Sequence, residues 1–167
     1  LISGSFSLPN DRVEWEGIQQ YVDPLLGGSV FVTDSKNATI NLGMQHYINY
    51  IGLAGGTGSD ELIGNSLDNQ IWGGTGNSSD CLRGGSGADI YWFGKNDGHD
   101  TIAADAYNSL DSVNFYDSMA TDIVFSQSGT DLIVSLGGTG SLNIQGWYDP
   151  ANAANRVMHA TFANGER

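Results

Sequence analysis

Glycine and acidic residues recur at a regular interval in the middle of the chain, between Gly55 and Asp100. Each copy begins with a glycine-rich turn, reaches an acidic or amide residue and has one apolar residue two places later. Carboxylate oxygens and the carbonyl oxygens of glycine turns are hard ligands, which suit a hard cation such as Ca²⁺. The types and spacing of these residues therefore predict cation binding rather than acid–base catalysis.

The copies vary around one nine-residue unit. Those that begin at Gly55 and Gly84 follow Gly-Gly-x-Gly-x-Asp-x-apolar-x, whereas the second copy has Asn69 at the acidic position. The third copy carries an insertion at 77–79 before it reaches Asp80. A flexible linker is the alternative for glycine-rich sequence, but a linker would not repeat an aspartate and an aliphatic residue in phase. The unit resembles the haemolysin-type calcium-binding repeats of secreted bacterial RTX proteins.

A single copy cannot fold alone, because its last three residues form a short strand with only one inward apolar side chain. Stacked copies would join these side chains into a narrow continuous core, with two copies making each coil. The predicted fold is therefore all-β: a parallel β-roll of calcium-binding repeats, extended by a C-terminal β region and a short N-terminal cap. The predicted inward residues are Leu62, Ile71, Leu82, Tyr91 and Ile102.

The resemblance also implies where calcium would lie. Turns two copies apart would face each other, so that Asp60 faces Asp80 and Asp80 faces Asp100. In the same way, Asn69 would face Asp89. Roughly two to three Ca²⁺ ions would sit between the stacked turns, held by glycine carbonyls and aspartate carboxylates. The ligands implied by this resemblance are Gly55, Thr57, Asp60, Gly64, Ser66, Asn69, Gly73, Thr75, Asp80, Gly84, Ser86, Asp89, Asp97 and Asp100.

Net charge and cysteine content narrow the range of partners. The 167 residues carry a formal net charge of −13, which disfavours nucleic acid and anionic membranes and favours cations. The single cysteine, Cys81, cannot form an internal disulfide, so calcium would replace disulfides as the stabilising element of an extracellular protein. No stretch is long and apolar enough to span a membrane, and Leu1 does not open a signal peptide. We expect a monomeric piece of a larger secreted bacterial protein.

Composition divides the chain into four regions. They are an N-terminal cap at 1–28, metal-free coils at 29–54, the calcium-binding repeats at 55–103 and a C-terminal β region at 104–167. Within the cap, the segment from Asn10 to Val22 is as compatible with a short helix, with Trp15, Ile18 and Val22 on one face, as with irregular chain. In the metal-free coils, strands are predicted at 30–32, 38–42 and 48–53.

The C-terminal region exchanges glycine turns for alternating strands. Strands are predicted at 112–115, 123–125, 131–136 and 141–145, with hairpin turns at 128–130 and 137–140. This region resembles the haemolysin-type calcium-binding-related region that follows RTX repeats. The matching stretches begin at Tyr91, Asp97, Asp111 and Asp131, and a terminal strand and turn follow at 160–165.

The sequence lacks the common catalytic patterns. His46, His99 and His159 do not have the spacing of a metal-binding pair, and there is no nucleophile elbow, phosphate loop or CxxC motif. We therefore predict a non-enzymatic module. As the resemblance implies, it would fold when it meets calcium outside the cell and support the type I secretion and the stability of a larger parent protein.

Two other functions remain open from the sequence. Trp72, Trp92, Trp147 and Tyr148 could bind a cell-surface glycan in an adhesin or an accessory module of a secreted enzyme, although such aromatics more often close the end of a core. The bonds Asp23-Pro24 and Asp149-Pro150 could be sites of calcium-triggered self-cleavage, although Asp-Pro is also an ordinary turn dipeptide.

Overall fold

The computed structural model describes residues 18–22, 29–33, 39–41, 51–104, 110–153, 156–157 and 159–167. The secondary structure of these residues consists of short strands joined by turns, with two short 3₁₀ helices at Ala120–Asp122 and Pro150–Asn152. The strands are β1 Ile18–Val22, β2 Ser29–Thr33, β3 Thr39–Asn41, β4 Ile51–Ala54, β5 Glu61–Ile63, β6 Asn69–Trp72, β7 Cys81–Arg83, β8 Ile90–Phe93, β9 His99–Ile102, β10 Ser112–Phe115, β11 Val124–Ser128, β12 Asp131–Ser135, β13 Ser141–Ile144 and β14 His159–Phe162.

The described strands form two seven-stranded sheets. The first has the order β1-β2-β4-β6-β8-β10-β14, and the second has the order β11-β12-β13-β9-β7-β5-β3. From β3 to β10, consecutive strands alternate between the sheets, and strands two apart in the sequence pair in parallel. Two strands therefore complete one turn of the chain, as the repeat predicts.

Each repeat strand contributes an inward residue to a core between the sheets. In the second sheet, Leu62 pairs in register with Leu82, and Leu82 pairs with Ile102. In the first sheet, Ile71 pairs with Tyr91. All five side chains are 0% exposed, which confirms the predicted inward positions. Burial of one such side chain stabilises the fold by about 1.5–3 kcal/mol, so the core depends on stacking many copies.

The parallel stacking continues beyond the nonapeptides. Strand β10 pairs in parallel with β8, placing Val113 beside Tyr91 and Phe115 beside Phe93. Strand β14 in turn pairs in parallel with β10, and the rings of Phe115 and Phe162 stack at 5.7 Å between centroids. Alternate apolar residues are enough to continue the core here, because the inward positions do not require a glycine turn before them.

The C-terminal hairpins confirm the predicted turns. Strands β11, β12 and β13 form an antiparallel meander that turns at 128–130 and 137–140, and β13 then joins the second sheet by pairing in parallel with β9. Glycines with positive φ stand at both turns: Gly129 has a φ of 61° and Gly137 a φ of 73°. These angles suit glycine because it lacks a Cβ.

The N-terminal segment differs from the predicted helix. Residues Ile18–Val22 form strand β1, which pairs antiparallel with β2, and 10–17 lie outside the described residues. The sequence Ile-Gln-Gln-Tyr-Val is rich in residues that favour strands, and pairing with β2 satisfies a sheet edge that a helix would have left open. The described part of this segment is therefore a strand, neither the helix nor the irregular chain that the sequence left open, while β2, β3 and β4 coincide with the predicted strands where these are described.

The all-β fold class is confirmed. The finer expectation of a parallel β-roll is not shown as such, because the sheets are open and each contains antiparallel as well as parallel pairs. Antiparallel pairs lie at one end of each sheet: β1 with β2 in the first sheet, and β11, β12 and β13, joined by hairpin turns, in the second.

Replacing Leu82 with alanine tests the stacked core. Leu82 lies between Leu62 and Ile102 and is 0% exposed, so Leu82→Ala should lower the free energy of unfolding by about 2–5 kcal/mol in urea titrations at saturating calcium. Val124 is 64% exposed, and Val124→Ala should change it by no more than about 0.5 kcal/mol. Equal effects of the two substitutions would contradict the described core.

Candidate metal centre

Three aspartates stand one above another at the beginning of strands in the second sheet. Asp60, Asp80 and Asp100 lie at the start of β5, β7 and β9 and are 1–3% exposed. The backbone N–H of Asp60 donates to Oδ1 of Asp80 at 2.7 Å, and the N–H of Asp80 donates to Oδ1 of Asp100 at 3.1 Å. We call this set the first column. The facing of its turns agrees with what the repeat predicts.

A second column stands at the beginning of strands in the first sheet. The N–H of Asn69 donates to Oδ1 of Asp89 at 2.8 Å, and the N–H of Asp89 donates to Oδ1 of Asp111 at 3.0 Å. Asp89 and Asp111 are 0% exposed. The second column is therefore Asn69, Asp89 and Asp111, and the space between two successive members of either column is called an interval below.

Asp111 was not among the predicted ligands. It follows Asp89 by 22 residues rather than by the 20 that separate the other column members, and no glycine turn precedes it. The available signal was the triplet Asp111-Ser112-Val113, which repeats the acid-x-inward pattern of Asp89-Ile90-Tyr91. Parallel pairing of β10 with β8 brings the two triplets into register.

Glycines make room for the carboxylates. A Cβ on Gly73 would lie 2.6 Å from Oδ2 of Asp80 and 2.7 Å from Oδ2 of Asp100, closer than any side chain tolerates. A Cβ on Gly84 would collide with Oδ2 of Asp89. The carboxylates therefore occupy space above these turns that only glycine leaves open.

Glycine carbonyls lie between the stacked turns as well. A Cβ on Gly55 would collide with the carbonyl oxygen of Gly73, and a Cβ on Gly64 would collide with that of Gly84. A Cβ on Gly74, whose φ is 108°, would likewise collide with the carbonyl oxygen of Gly56. The space between turns is therefore lined by backbone carbonyl oxygens in addition to the carboxylates.

Two carboxylate oxygens of the columns are buried without a hydrogen-bond partner: Oδ2 of Asp89 and Oδ2 of Asp100. Burial raises the pKa of Asp100 to about 9, and the charge of Asp80 adds to this rise. Burial also raises the pKa of Asp89 to about 7, with the charge of Asp111 adding to it. A buried carboxylate is costly unless it is paired or coordinates a metal, so these oxygens would be stabilised by a cation.

The residues present fit calcium. The donors are oxygens, which Ca²⁺ prefers, rather than the nitrogen and sulfur ligands of zinc sites. Within the described residues, no group of three or more His, Cys, Asp or Glu side chains could hold a metal ion by itself. Backbone carbonyls would therefore have to supply part of the six to eight ligands that Ca²⁺ typically takes.

The remaining predicted ligands differ in their surroundings. Thr57, Ser66, Thr75 and Ser86 are exposed on their turns. Asn69 is buried, and its Oδ1 accepts the N–H of Asn65 at 2.9 Å, so its side-chain oxygen already closes its own turn. These side chains differ from Asp89 and Asp100, because none of them offers a buried oxygen without a partner.

The insertion in the third copy folds against the first column. Ser78 is 7% exposed, and its hydroxyl lies 3.3 Å from Oδ2 of Asp80, to which it donates a hydrogen bond. Its carbonyl accepts the N–H of His99 at 2.9 Å. The insertion therefore keeps the turn stacked on the next one and adds a hydroxyl beside a column carboxylate.

Asp97 lies outside both columns. Its Oδ2 accepts the indole N–H of Trp72 at 2.8 Å and the backbone N–H of Gly94 at 2.9 Å, and its Oδ1 accepts the hydroxyl of Tyr116 at 2.7 Å. Burial raises the pKa of Asp97, and these hydrogen bonds oppose the rise. The carboxylate thus joins the ends of β6, β8 and β10, which favours a structural role over the predicted ligand role.

The residues behind the alternative functions have structural partners. Trp147 and Tyr148 meet edge to face at 5.0 Å between centroids and pack against the core, which confirms the expected packing role. Arg156 lies over the Trp147 ring at 5.1 Å. Oδ1 of Asp149 accepts the N–H of Ala151 at 2.9 Å, as in an ordinary turn before a 3₁₀ helix, while Asp23-Pro24 lies outside the described residues.

Comparison with known families supports a calcium-related origin for the C-terminal segment. Residues 131–167 match the haemolysin-type calcium binding protein related domain. This match covers β12, β13 and β14 and supports the expected relation for that segment, not for the nonapeptides. No curated protein matches the chain. Among the described residues, no helix is long and apolar enough to cross a membrane.

Replacing Asp97 with asparagine separates its structural role from a ligand role. The amide would present N–H groups to the donors of Trp72 or Gly94, so Asp97→Asn should lower the free energy of unfolding at saturating calcium by about 1–3 kcal/mol. The number of bound calcium ions, measured by equilibrium dialysis, should stay unchanged. The control is Asp68→Asn, at an exposed acid in the turn before β6. Loss of one ion from Asp97→Asn alone would show that Asp97 is a ligand after all.

Proposed function

We propose that this chain is a calcium-binding module in which Ca²⁺ ions lie between the stacked turns of the two columns. The observation that carries the proposal is Oδ2 of Asp100, a buried carboxylate oxygen without a hydrogen-bond partner that lies with Oδ2 of Asp80 over Gly73. The lack of a Cβ at Gly73 and Gly84, which leaves room for the column carboxylates, and the calcium-related match at 131–167 support the same conclusion.

The repeats offer three intervals for roughly two to three ions. The first column has the intervals Asp60/Asp80 and Asp80/Asp100, and the second has Asn69/Asp89. The aspartates would supply negative charge, and carbonyls such as those of Gly73 and Gly84 would supply neutral oxygens. The bound ion would supply positive charge that offsets the repulsion between stacked carboxylates.

Calcium would be part of the fold of the repeat region, residues 55–103. Without it, the columns place like charges above one another, and the many glycines lose more conformational entropy on folding than other residues do. An ion present at ten to a hundred times its dissociation constant stabilises the folded state by about 1.4–2.7 kcal/mol. Two or three such ions would supply much of a small domain's net stability, which is about 5–15 kcal/mol. We propose that the calcium-bound repeat region is a parallel β-roll.

The proposed setting is a secreted bacterial protein. A chain with a net charge of −13 would be poorly folded where calcium is scarce and would fold on reaching millimolar calcium outside the cell. That behaviour suits export as an unfolded chain by a type I system. The module would then stabilise a larger parent protein and carry out no chemistry itself.

Substitutions in the first column test the proposal through the number of ions affected. Asp80 belongs to two intervals and Asp60 to one. Asp80→Asn should therefore weaken or abolish the binding of two calcium ions in calorimetric titrations, and Asp60→Asn should weaken or abolish the binding of one. Asp68 is exposed and outside the columns, so Asp68→Asn should leave the number of ions unchanged. If the Asp80 variant keeps all the ions of the unmodified chain, the columns do not hold calcium.

A further inference from the structure

The interval between Asp89 and Asp111 lies outside the nonapeptide pattern. The N–H of Asp89 donates to Oδ1 of Asp111 at 3.0 Å, as in the repeat intervals, and both side chains are 0% exposed. Oδ2 of Asp89 is buried there without a hydrogen-bond partner. Two carboxylates are thus brought together out of water at a place where the sequence has no glycine turn above them.

Tyr91 brings a hydroxyl to this interval from an inward position of the core. Its ring occupies an inward position, where neighbouring copies have leucine or isoleucine, but its hydroxyl extends to the turn and accepts the N–H of Gly84 at 2.9 Å. A Cβ on Gly84 would meet both this hydroxyl and Oδ2 of Asp89. The two oxygens therefore border the same space above Gly84.

The first column ends differently. Leu142 pairs in register with Asp100 and is 0% exposed, so an apolar side chain stands where a fourth acid of that column would be. In the second column the corresponding step beyond Asp89 is Asp111. The second column therefore continues with one more acid, Asp111, whereas a leucine follows Asp100 in the first column.

We propose that Asp89 and Asp111 bind an additional Ca²⁺ ion outside the nonapeptide repeats, with the Tyr91 hydroxyl bordering the site on its core side. Asp89 and Asp111 are the proposed ligands, whereas Tyr91 is a positioning residue that holds the backbone of Gly84. The inference rests on the proposed calcium function. It adds a site that joins the repeats to β10, and so couples the C-terminal region to calcium.

Two substitutions that preserve shape test this site. Asp111→Asn keeps an oxygen for the N–H of Asp89 but removes the charge. It should lower the affinity for one calcium ion by about 10- to 100-fold. Tyr91→Phe keeps the ring in the core and removes only the hydroxyl. It should lower the affinity for the same calcium ion by about three- to tenfold. The affinities are measured by calorimetric calcium titration, and near-ultraviolet circular dichroism at saturating calcium checks that each variant is folded.

The controls separate failure of this site from failure of the proposed function. Asp60→Asn should lower the affinity for a different calcium ion. The double variant with Asp111→Asn should therefore show both losses of affinity, each as large as in the single variant. Tyr148→Phe removes a tyrosine hydroxyl far along the chain and should leave every calcium affinity unchanged.

If Asp111→Asn and Tyr91→Phe both retain all calcium affinities while Asp60→Asn loses an ion, this additional site is wrong and the repeat sites stand. That result would also be expected if water or a monovalent ion filled the interval. If the unmodified chain binds no calcium, both the additional site and the proposed function are wrong.

Discussion

The burial of carboxylates one above another is the constraint on which the rest of this structure depends. In both columns a backbone N–H of one turn donates to the carboxylate of the next, which fixes the stacking but does not neutralise the charges. The raised pKa values of Asp89 and Asp100 follow from this arrangement. A cation between the turns would offset the free-energy cost of burying these carboxylates. The glycines have no Cβ that would block the space between the turns. The short strands and narrow core then need only to hold the turns in register.

Much of the repeat region could be predicted because its period is directly visible in the sequence. Leu62, Leu82 and Ile102 lie in one stack and Ile71 and Tyr91 in another, since one inward residue per copy and two copies per coil leave no other arrangement. The facing of Asp60 with Asp80 follows from the same register.

The features that could not be predicted depend on contacts distant in sequence. Asp97 is a predicted ligand, yet its oxygens are used by Trp72 and Tyr116, whose approach is decided by how β6 and β10 flank β8. Asp111 has no glycine turn before it, so the nonapeptide pattern does not reach it, and only the shorter triplet Asp111-Ser112-Val113 relates it to Asp89. Strand β1 shows the same limitation, because its pairing with β2 outweighs the helical spacing of its apolar residues.

The central claim is that calcium is part of the fold, and a calcium titration followed by far-ultraviolet circular dichroism tests it most directly. Calorimetry on the same samples counts the ions, and magnesium serves as the control because it prefers a smaller octahedral site. The account predicts a cooperative gain of β signal with calcium, two or more bound ions and little response to magnesium. A chain that is already fully folded in excess chelator would contradict it, because the columns would then be stable with their carboxylates unneutralised.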